Sequence, residues 1–143
     1  MSFSETISPL LGRCMLVLFY AIGGMHIVND WSGISGLLDA HHVPLAPVVL
    51  LVALVFIFLG CFSLLFGYNT RHGAVLLFGL TAVAAFILHP FWQLSEGAAR
   101  AAEFEIFTRD MAICGGLLLM VGMGPGPFAI DNRKAGGGKS KKH

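Results

Sequence analysis

The chain has 143 residues, of which 56% are hydrophobic and only 12% are charged, and its formal net charge at pH 7 is +1. Soluble domains carry about 25% charged residues, so this composition excludes an ordinary soluble protein and indicates an integral membrane protein. The small net charge gives no support for nucleic-acid binding. The three cysteines lie in separate apolar runs, so they predict neither a disulfide framework nor a metal or redox motif.

The first predicted membrane span covers about residues 9–28. Pro9 is suited to the first position of a helix. Arg13, one turn further along, is expected to extend back to the lipid headgroups. The Gly-Gly pair at 23–24 thins one face of the span for close packing against another helix. Residues 29–47 contain several Gly, His and Pro residues, so they predict a loop.

The second and third spans are the most apolar parts of the chain. The second covers about residues 47–66 and is apolar on every side, which predicts a scaffold helix. The third covers about residues 73–92, and neither a charge nor a proline interrupts it between His72 and His89. Trp92 is expected to anchor its end at the membrane interface.

The fourth span covers about residues 106–123, with an Arg-Asp pair at 109–110 near its start. The preceding connection, residues 93–105, is predicted to hold a short helix at the membrane surface. Within it Glu96 and Arg100 stand four residues apart, the favourable spacing for a helical ion pair.

The predicted architecture is an all-α, integral membrane four-helix bundle over residues 1–131, followed by a flexible basic tail at 132–143. Four spans place both termini on one side of the membrane. Most lysines and arginines fall on that side, whereas the other side holds only Arg100 and Arg109. The positive-inside rule therefore predicts that both termini lie in the cytoplasm of a cell with a bacterial-type inner membrane.

Ionisable side chains within membrane spans are energetically expensive, which makes them functional candidates. His26, His89, Arg109 and Asp110 all lie towards the outer ends of spans one, three and four, where a bundle would gather them. Histidine can exchange protons near neutral pH. These residues, with Trp92 as an aromatic wall, predict a binding pocket at the outer end, while catalytic residues remain unknown.

Other interpretations of the same residues stay open. His89 with Trp92 would also serve as an interface anchor, and Arg109 with Asp110 as an ion pair at the rim. A haem held between His26 and His89 is less well supported, because no polar clamp for its propionates is evident. No metal site is predicted.

Three short motifs carry a family resemblance. They are residues 67–71 (GYNTR), residues 88–92 (LHPFW), and residues 110–119 (DMAICGGLLL) leading to GPG at 124–126 and to Asp131. In this order and spacing the chain resembles the DoxX family of small four-helix membrane proteins. The resemblance implies a membrane component of redox systems, since relatives are associated with quinol oxidation, thiosulfate-to-quinone electron transfer or oxidant-defence complexes. With it, the outer pocket is expected to hold a quinone head group, which needs hydrogen-bond donors, an apolar or aromatic sleeve and a proton-exchanging group such as histidine.

The chain departs from the family pattern at three places. His26 stands where relatives often have a lysine, and apolar residues around Ile57 replace a frequent glutamate, which removes an ion pair. Arg109 and Asp110 replace a usual Lys-Asn pair.

The expected function is therefore a non-metal accessory subunit or membrane anchor of a quinone-linked redox complex, rather than a stand-alone catalyst. Its expected partners are membrane lipids and other redox proteins, with an oligomer also open. The alternative is a structural interaction protein that has no ligand and packs its glycine-rich faces on spans one and four against partner helices. A solute transporter is less well supported, because the spans contain few polar groups.

Overall fold

The computed structural model describes residues 3–131, so the predicted basic tail at 132–143 lies outside the described residues. The described part is helical and contains no strand, which confirms the all-α fold class. Its elements are α1 (Phe3–Asn29), α2 (Trp31–Ala40), α3 (Ala46–Phe66), α4 (Thr70–Leu88), a 3-10 turn (Phe91–Gln93) and α5 (Ala98–Met123).

Four of the helices are long and apolar enough to cross a membrane, which confirms a multi-pass membrane protein. They are α1, α3, α4 together with the 3-10 turn that follows it, and α5. The 21 residues of α3 give a length of about 32 Å, close to the roughly 30 Å thickness of the hydrocarbon core. Most of their apolar side chains face outwards, as a surface solvated by lipid requires.

The helices pack in the row α1, α3, α4, α5, and α1 makes few contacts with α5. The core of this row consists of Tyr20, Leu64, Ala74, Leu77 and Leu117. Close approach of α3 to α4 depends on small residues. A Cβ atom added at Gly60 would overlap the Leu77 side chain, and one added at Gly73 would overlap Ser63.

We call the end of the bundle that carries His89 the outer end and the end that carries Arg13 the inner end. The outer end is covered by α2, where the sequence predicted a loop. Leu38 of α2 is buried against Ala46 and Leu50 of α3, with Ile27 of α1 packed beside them. The loop prediction was wrong because it gave more weight to the glycines of this stretch than to its apolar residues. Those apolar residues become buried only when the bundle is assembled.

The last helix starts earlier than the sequence predicted, at Ala98 rather than near residue 106. The expected separate surface helix is therefore the first part of α5. Its 26 residues span about 39 Å, longer than the hydrocarbon core, so α5 extends past the outer end. The predicted Glu96–Arg100 ion pair is present, with 3.9 Å between Oε1 and Nη1.

Arg13 lies inside the inner end and does not extend to the headgroups, so that expectation was wrong. Only 2% of it is exposed. Its Nε and Nη2 donate to the carbonyl oxygens of Leu64 (2.7 Å) and Leu65 (2.9 Å), and Nη1 donates to that of Pro125 (3.0 Å). A cation at the C-terminal end of α3 also complements the helix dipole. Because α1 already starts at Phe3, Arg13 is more than two turns inside it.

Asp131 caps the start of α4 from a distant part of the sequence. Its carboxylate accepts hydrogen bonds from the backbone N–H groups of Asn69 (2.8 Å) and Thr70 (3.0 Å) and from the Thr70 hydroxyl (3.2 Å). The backbone N–H of Asp131 donates to the Gly67 carbonyl oxygen at 3.0 Å. Two of the sequence motifs, residues 67–71 and the segment ending at Asp131, therefore meet at the inner end.

Candidate functional site

The outer half of the bundle encloses a cavity of about 390 Å³ that receives residues from all five helices. Four of the five predicted site residues line it, namely His26, His89, Arg109 and Asp110. Trp92 does not line it. A volume of this size lies within the range of about 300–1,000 Å³ that is typical of small-molecule sites.

The deepest part of the cavity is polar. The hydroxyl groups of Tyr20 and Thr81 are hydrogen-bonded to each other at 2.5 Å, and Asp110, only 8% exposed, lies on the same cavity. The sequence interpretation missed Tyr20 and Thr81. The available signal was that Thr81 is the only side chain capable of hydrogen bonding between Ala74 and Leu88 of α4.

At the outer mouth of the cavity, the side chains of His89 and Glu103 are hydrogen-bonded to each other. His89 Nδ1 lies 2.7 Å from Glu103 Oε2, and both side chains are partly buried. Within the described residues Nε2 of His89 has no hydrogen-bond partner, and His89 is one of the residues that line the cavity. Glu103 was missed because residues 93–105 were assigned to a surface connection. In the structure α5 starts at Ala98, and this helix places Glu103 beside the end of α4.

The polar mouth and the polar floor stand apart with apolar walls between them. A helical rise of about 1.5 Å per residue puts about 12 Å between the positions of Thr81 and His89 along α4. Apolar side chains of α2 and α3, such as Leu38 and Ala53, line the space between. The cavity therefore presents hydrogen-bonding groups at two levels to an otherwise apolar molecule.

Arg109 and Asp110 form a pair at one corner of the cavity. Nε and Nη2 of Arg109 lie 3.4 and 3.3 Å from Asp110 Oδ1, and the guanidinium carbon is 5.7 Å from the centre of the Phe19 ring. The Arg109 side chain is 58% exposed, whereas that of Asp110 is 11% exposed. Arg109 thus compensates the charge of a buried carboxylate. The pair lies about three turns inside α5, deeper than the sequence predicted.

Trp92 belongs to a separate aromatic cluster on the outside of α4 and α5. Its ring packs against Phe86, Phe91 and Phe107, with centroid separations of 5.2–6.1 Å. It is 48% exposed, as suits an aromatic anchor at a membrane interface. The aromatic wall of the cavity comes instead from Phe19 and Tyr20.

Two positions at which the sequence departs from the family pattern also face this cavity. His26 and Ile57 both line it, on α1 and α3 respectively. These residues give the cavity an imidazole and an apolar side chain. Among the described residues, no group of three or more His, Cys, Asp or Glu side chains is placed to hold a metal ion.

Comparison with protein families matches part of the chain to a known family. The sequence profile of the DoxX family matches residues 8–90, which is more than half of the chain and includes α2, α3 and α4. Glu103, Arg109 and Asp110 of α5 lie beyond the matched residues.

Three individual relatives cover most of the chain. The inner membrane protein YqjF of Escherichia coli strain K12 is 28% identical over 129 residues, 89% of this chain and 92% of the relative. The inner membrane protein YphA of the same strain is 27% identical over 124 residues, 87% of this chain and 88% of the relative. The Surfeit locus protein 4 homolog of Schizosaccharomyces pombe is 28% identical over 131 residues, 91% of this chain but only 38% of that protein. No solved structure matches significantly.

Proposed function

This chain belongs to the DoxX family, and from that premise we propose that it is a membrane subunit of a quinone-linked redox complex that holds a quinone head group in the outer cavity. The single observation that carries the proposal is the convergence of His26, His89, Asp110 and the Tyr20–Thr81 pair on one cavity with apolar walls. The complex is a respiratory or oxidant-defence assembly, and this chain is its accessory subunit.

Each polar group of the cavity has a role in this proposal. The Tyr20–Thr81 hydroxyl pair binds one quinone oxygen at the floor, and the free Nε2 of His89 binds the other near the mouth. Conversion between a quinone and its quinol exchanges protons as well as electrons. Because His89 is paired with the partly exposed Glu103, it can exchange protons with water at the outer end. The electrons are exchanged with a redox protein of the same complex.

The proposal includes a membrane and an orientation. The two Escherichia coli relatives are named as inner membrane proteins, and this chain is proposed to lie in the same type of membrane. The distribution of lysines and arginines supports an orientation with the inner end and both termini in the cytoplasm and the cavity open towards the periplasm.

The test is quinone binding by the purified protein in lipid nanodiscs. A benzoquinone titrated into the wild type should bind, and His89→Ala and Thr81→Val should each weaken binding by about tenfold. His72→Ala is the matched control, because this histidine lies at the inner end and, among the described residues, its side chain is hydrogen-bonded to Asn69. Absence of quinone binding, or equal binding by wild type and His89→Ala, would overturn the proposal. A haem absorption spectrum of the purified protein would also overturn it, because the bound cofactor would then be haem.

A second candidate is a structural interaction protein without a ligand. The observation in its favour is that Gly23 of α1 and Gly115 of α5 face open space, with no heavy atom within 4 Å of a Cβ built at either. Such faces suit close packing against helices of a partner. Copurification with a redox enzyme whose quinone reduction is unchanged by His89→Ala would favour this function.

A further inference from the structure

A second space lies on the other side of Arg109, between α1 and α5. Because these two helices are the ends of the packing row, they make few contacts with each other. Between them runs a groove of about 590 Å³ with a largely apolar lining. It begins near Ser8 and Pro125 at the inner end and reaches Arg109 towards the outer end.

The described residues 3–131 do not fill this groove. A Cβ atom built at Gly12 of α1 or at Gly116 of α5 has no heavy atom within 4 Å, although both residues line the groove. Methionines 15, 120 and 123 supply much of the remaining surface. Methionine side chains are flexible and adapt to irregular apolar ligands, so the groove can accommodate a long and narrow molecule.

The groove and the cavity meet at one residue, since Arg109 lines both. The Arg109 side chain, which lies over the Phe19 ring and beside Asp110, forms the boundary between the groove and the cavity. A long and largely exposed side chain can change rotamer without any movement of the helices. A molecule bound in the cavity would enter the groove past the Arg109 side chain at this corner.

We propose that the groove between α1 and α5 holds the isoprenoid tail of the quinone whose head group lies in the cavity, an inference that rests on the proposed function. Membrane quinones carry such tails, which are apolar and narrow. A partner helix, about 10–12 Å across, would lie over the groove rather than inside it. Lipid chains are as apolar as the tail, but the tail is tethered to a bound head group and so has the higher effective concentration at the groove.

The test compares two neighbouring glycines in α5. A Cβ atom added at Gly115 or at Gly116 has no heavy atom within 4 Å, but of the two only Gly116 lines the groove. Binding of a long-tailed ubiquinone and of its tail-less benzoquinone analogue is measured for the protein in nanodiscs. Gly116→Leu should weaken binding of the long-tailed quinone by about tenfold and leave the tail-less analogue unchanged, whereas Gly115→Leu should change neither.

The inference is overturned if Gly116→Leu leaves the long-tailed quinone unaffected, or weakens both quinones equally. It is also overturned if mass spectrometry shows that the variant loses a bound phospholipid and retains the long-tailed quinone. Gly12→Leu, with Gly23→Leu as its control on α1, repeats the comparison on the opposite wall should Gly116→Leu fail to fold. Failure of the wild type to bind either quinone would instead overturn the proposed function.

Discussion

The imidazole of His89 and the carboxylate of Glu103 are joined by a contact of 2.7 Å between Nδ1 and Oε2. This contact links the end of α4 to the part of α5 that extends past the outer end, across the turn that contains Pro90. Among the described residues, it leaves Nε2 as the ring nitrogen of His89 without a hydrogen-bond partner. A residue that the sequence placed in a surface connection thus positions the histidine on which the proposed site depends.

The first prediction concerns the coupling between these two residues. In a double-mutant cycle with His89→Gln and Glu103→Gln, we expect a coupling of about 1 kcal/mol in the free energy of unfolding, since the pair is hydrogen-bonded but partly exposed. Unfolding by a denaturing detergent in mixed micelles measures it. Glu105→Gln is the control, because this neighbouring glutamate is exposed and forms no ion pair within the described residues. Strict additivity of the two substitutions would contradict the contact.

Arg13→Ala should be among the most destabilising substitutions in the chain. It removes three hydrogen bonds and leaves the carbonyl groups of Leu64, Leu65 and Pro125 without their donor, at a cost of about 3 kcal/mol or more. The stability of Arg13→Lys should lie between those of the wild type and Arg13→Ala, because a single ammonium group cannot reproduce the several donors of the guanidinium group. Thermal unfolding in detergent is the measurement. Arg71 is exposed and serves as the control. If Arg13→Ala lowered the unfolding temperature no more than Arg71→Ala, the stabilising role of the buried Arg13 would be contradicted.

Asp131→Ala should loosen the start of α4. The carboxylate caps the backbone N–H groups of Asn69 and Thr70, and loss of such a cap costs about 1 kcal/mol. Hydrogen exchange of peptides containing these two amides should become faster, while exchange in the middle of α4 stays unchanged. Asp39→Ala serves as the comparison, since Asp39 is exposed and its side chain has no hydrogen-bond partner in the described part of the chain. Equal exchange in wild type and Asp131→Ala would rule out the cap.

Two glycines of α4 should respond in opposite ways to alanine. At Gly73 the added methyl group would overlap Ser63 of α3, which should destabilise the protein by about 1–3 kcal/mol. At Gly79 no heavy atom lies within 4 Å of the added group, so Gly79→Ala should be neutral or slightly stabilising. Detergent-induced unfolding of both variants checks the difference. A neutral Gly73→Ala would mean that α3 and α4 pack less closely than described.

The orientation is testable with fusions at the C-terminus. With the C-terminus in the cytoplasm, a fused green fluorescent protein should be fluorescent and a fused phosphatase, which is active only outside the cytoplasm, should be inactive. The reason is the excess of Lys and Arg on the inner side of the predicted spans. An active phosphatase fusion would reverse the orientation and place the cavity on the cytoplasmic side.

Much of the architecture could be predicted from the sequence. Because the hydrocarbon core leaves backbone groups no partner except those within a helix, each long apolar run had to be a spanning helix, and α1, α3, α4 and α5 follow from hydropathy alone. The hydrocarbon core also makes ionisable groups within membrane spans rare. For this reason the sequence alone identified four candidate site residues, His26, His89, Arg109 and Asp110.

What the sequence could not supply depends on which surfaces meet. Local polarity placed Arg13 at the headgroups, but the end of α3 offers it carbonyl acceptors inside the bundle. Glu103 contacts His89 because α5 continues as one helix past the outer end. Trp92 lies outside the cavity because the chain turns at Pro90. Hydropathy reports the preference of each residue for lipid or water, whereas the contacts that build the cavity are made between residues far apart in the chain and exist only once the helices are packed.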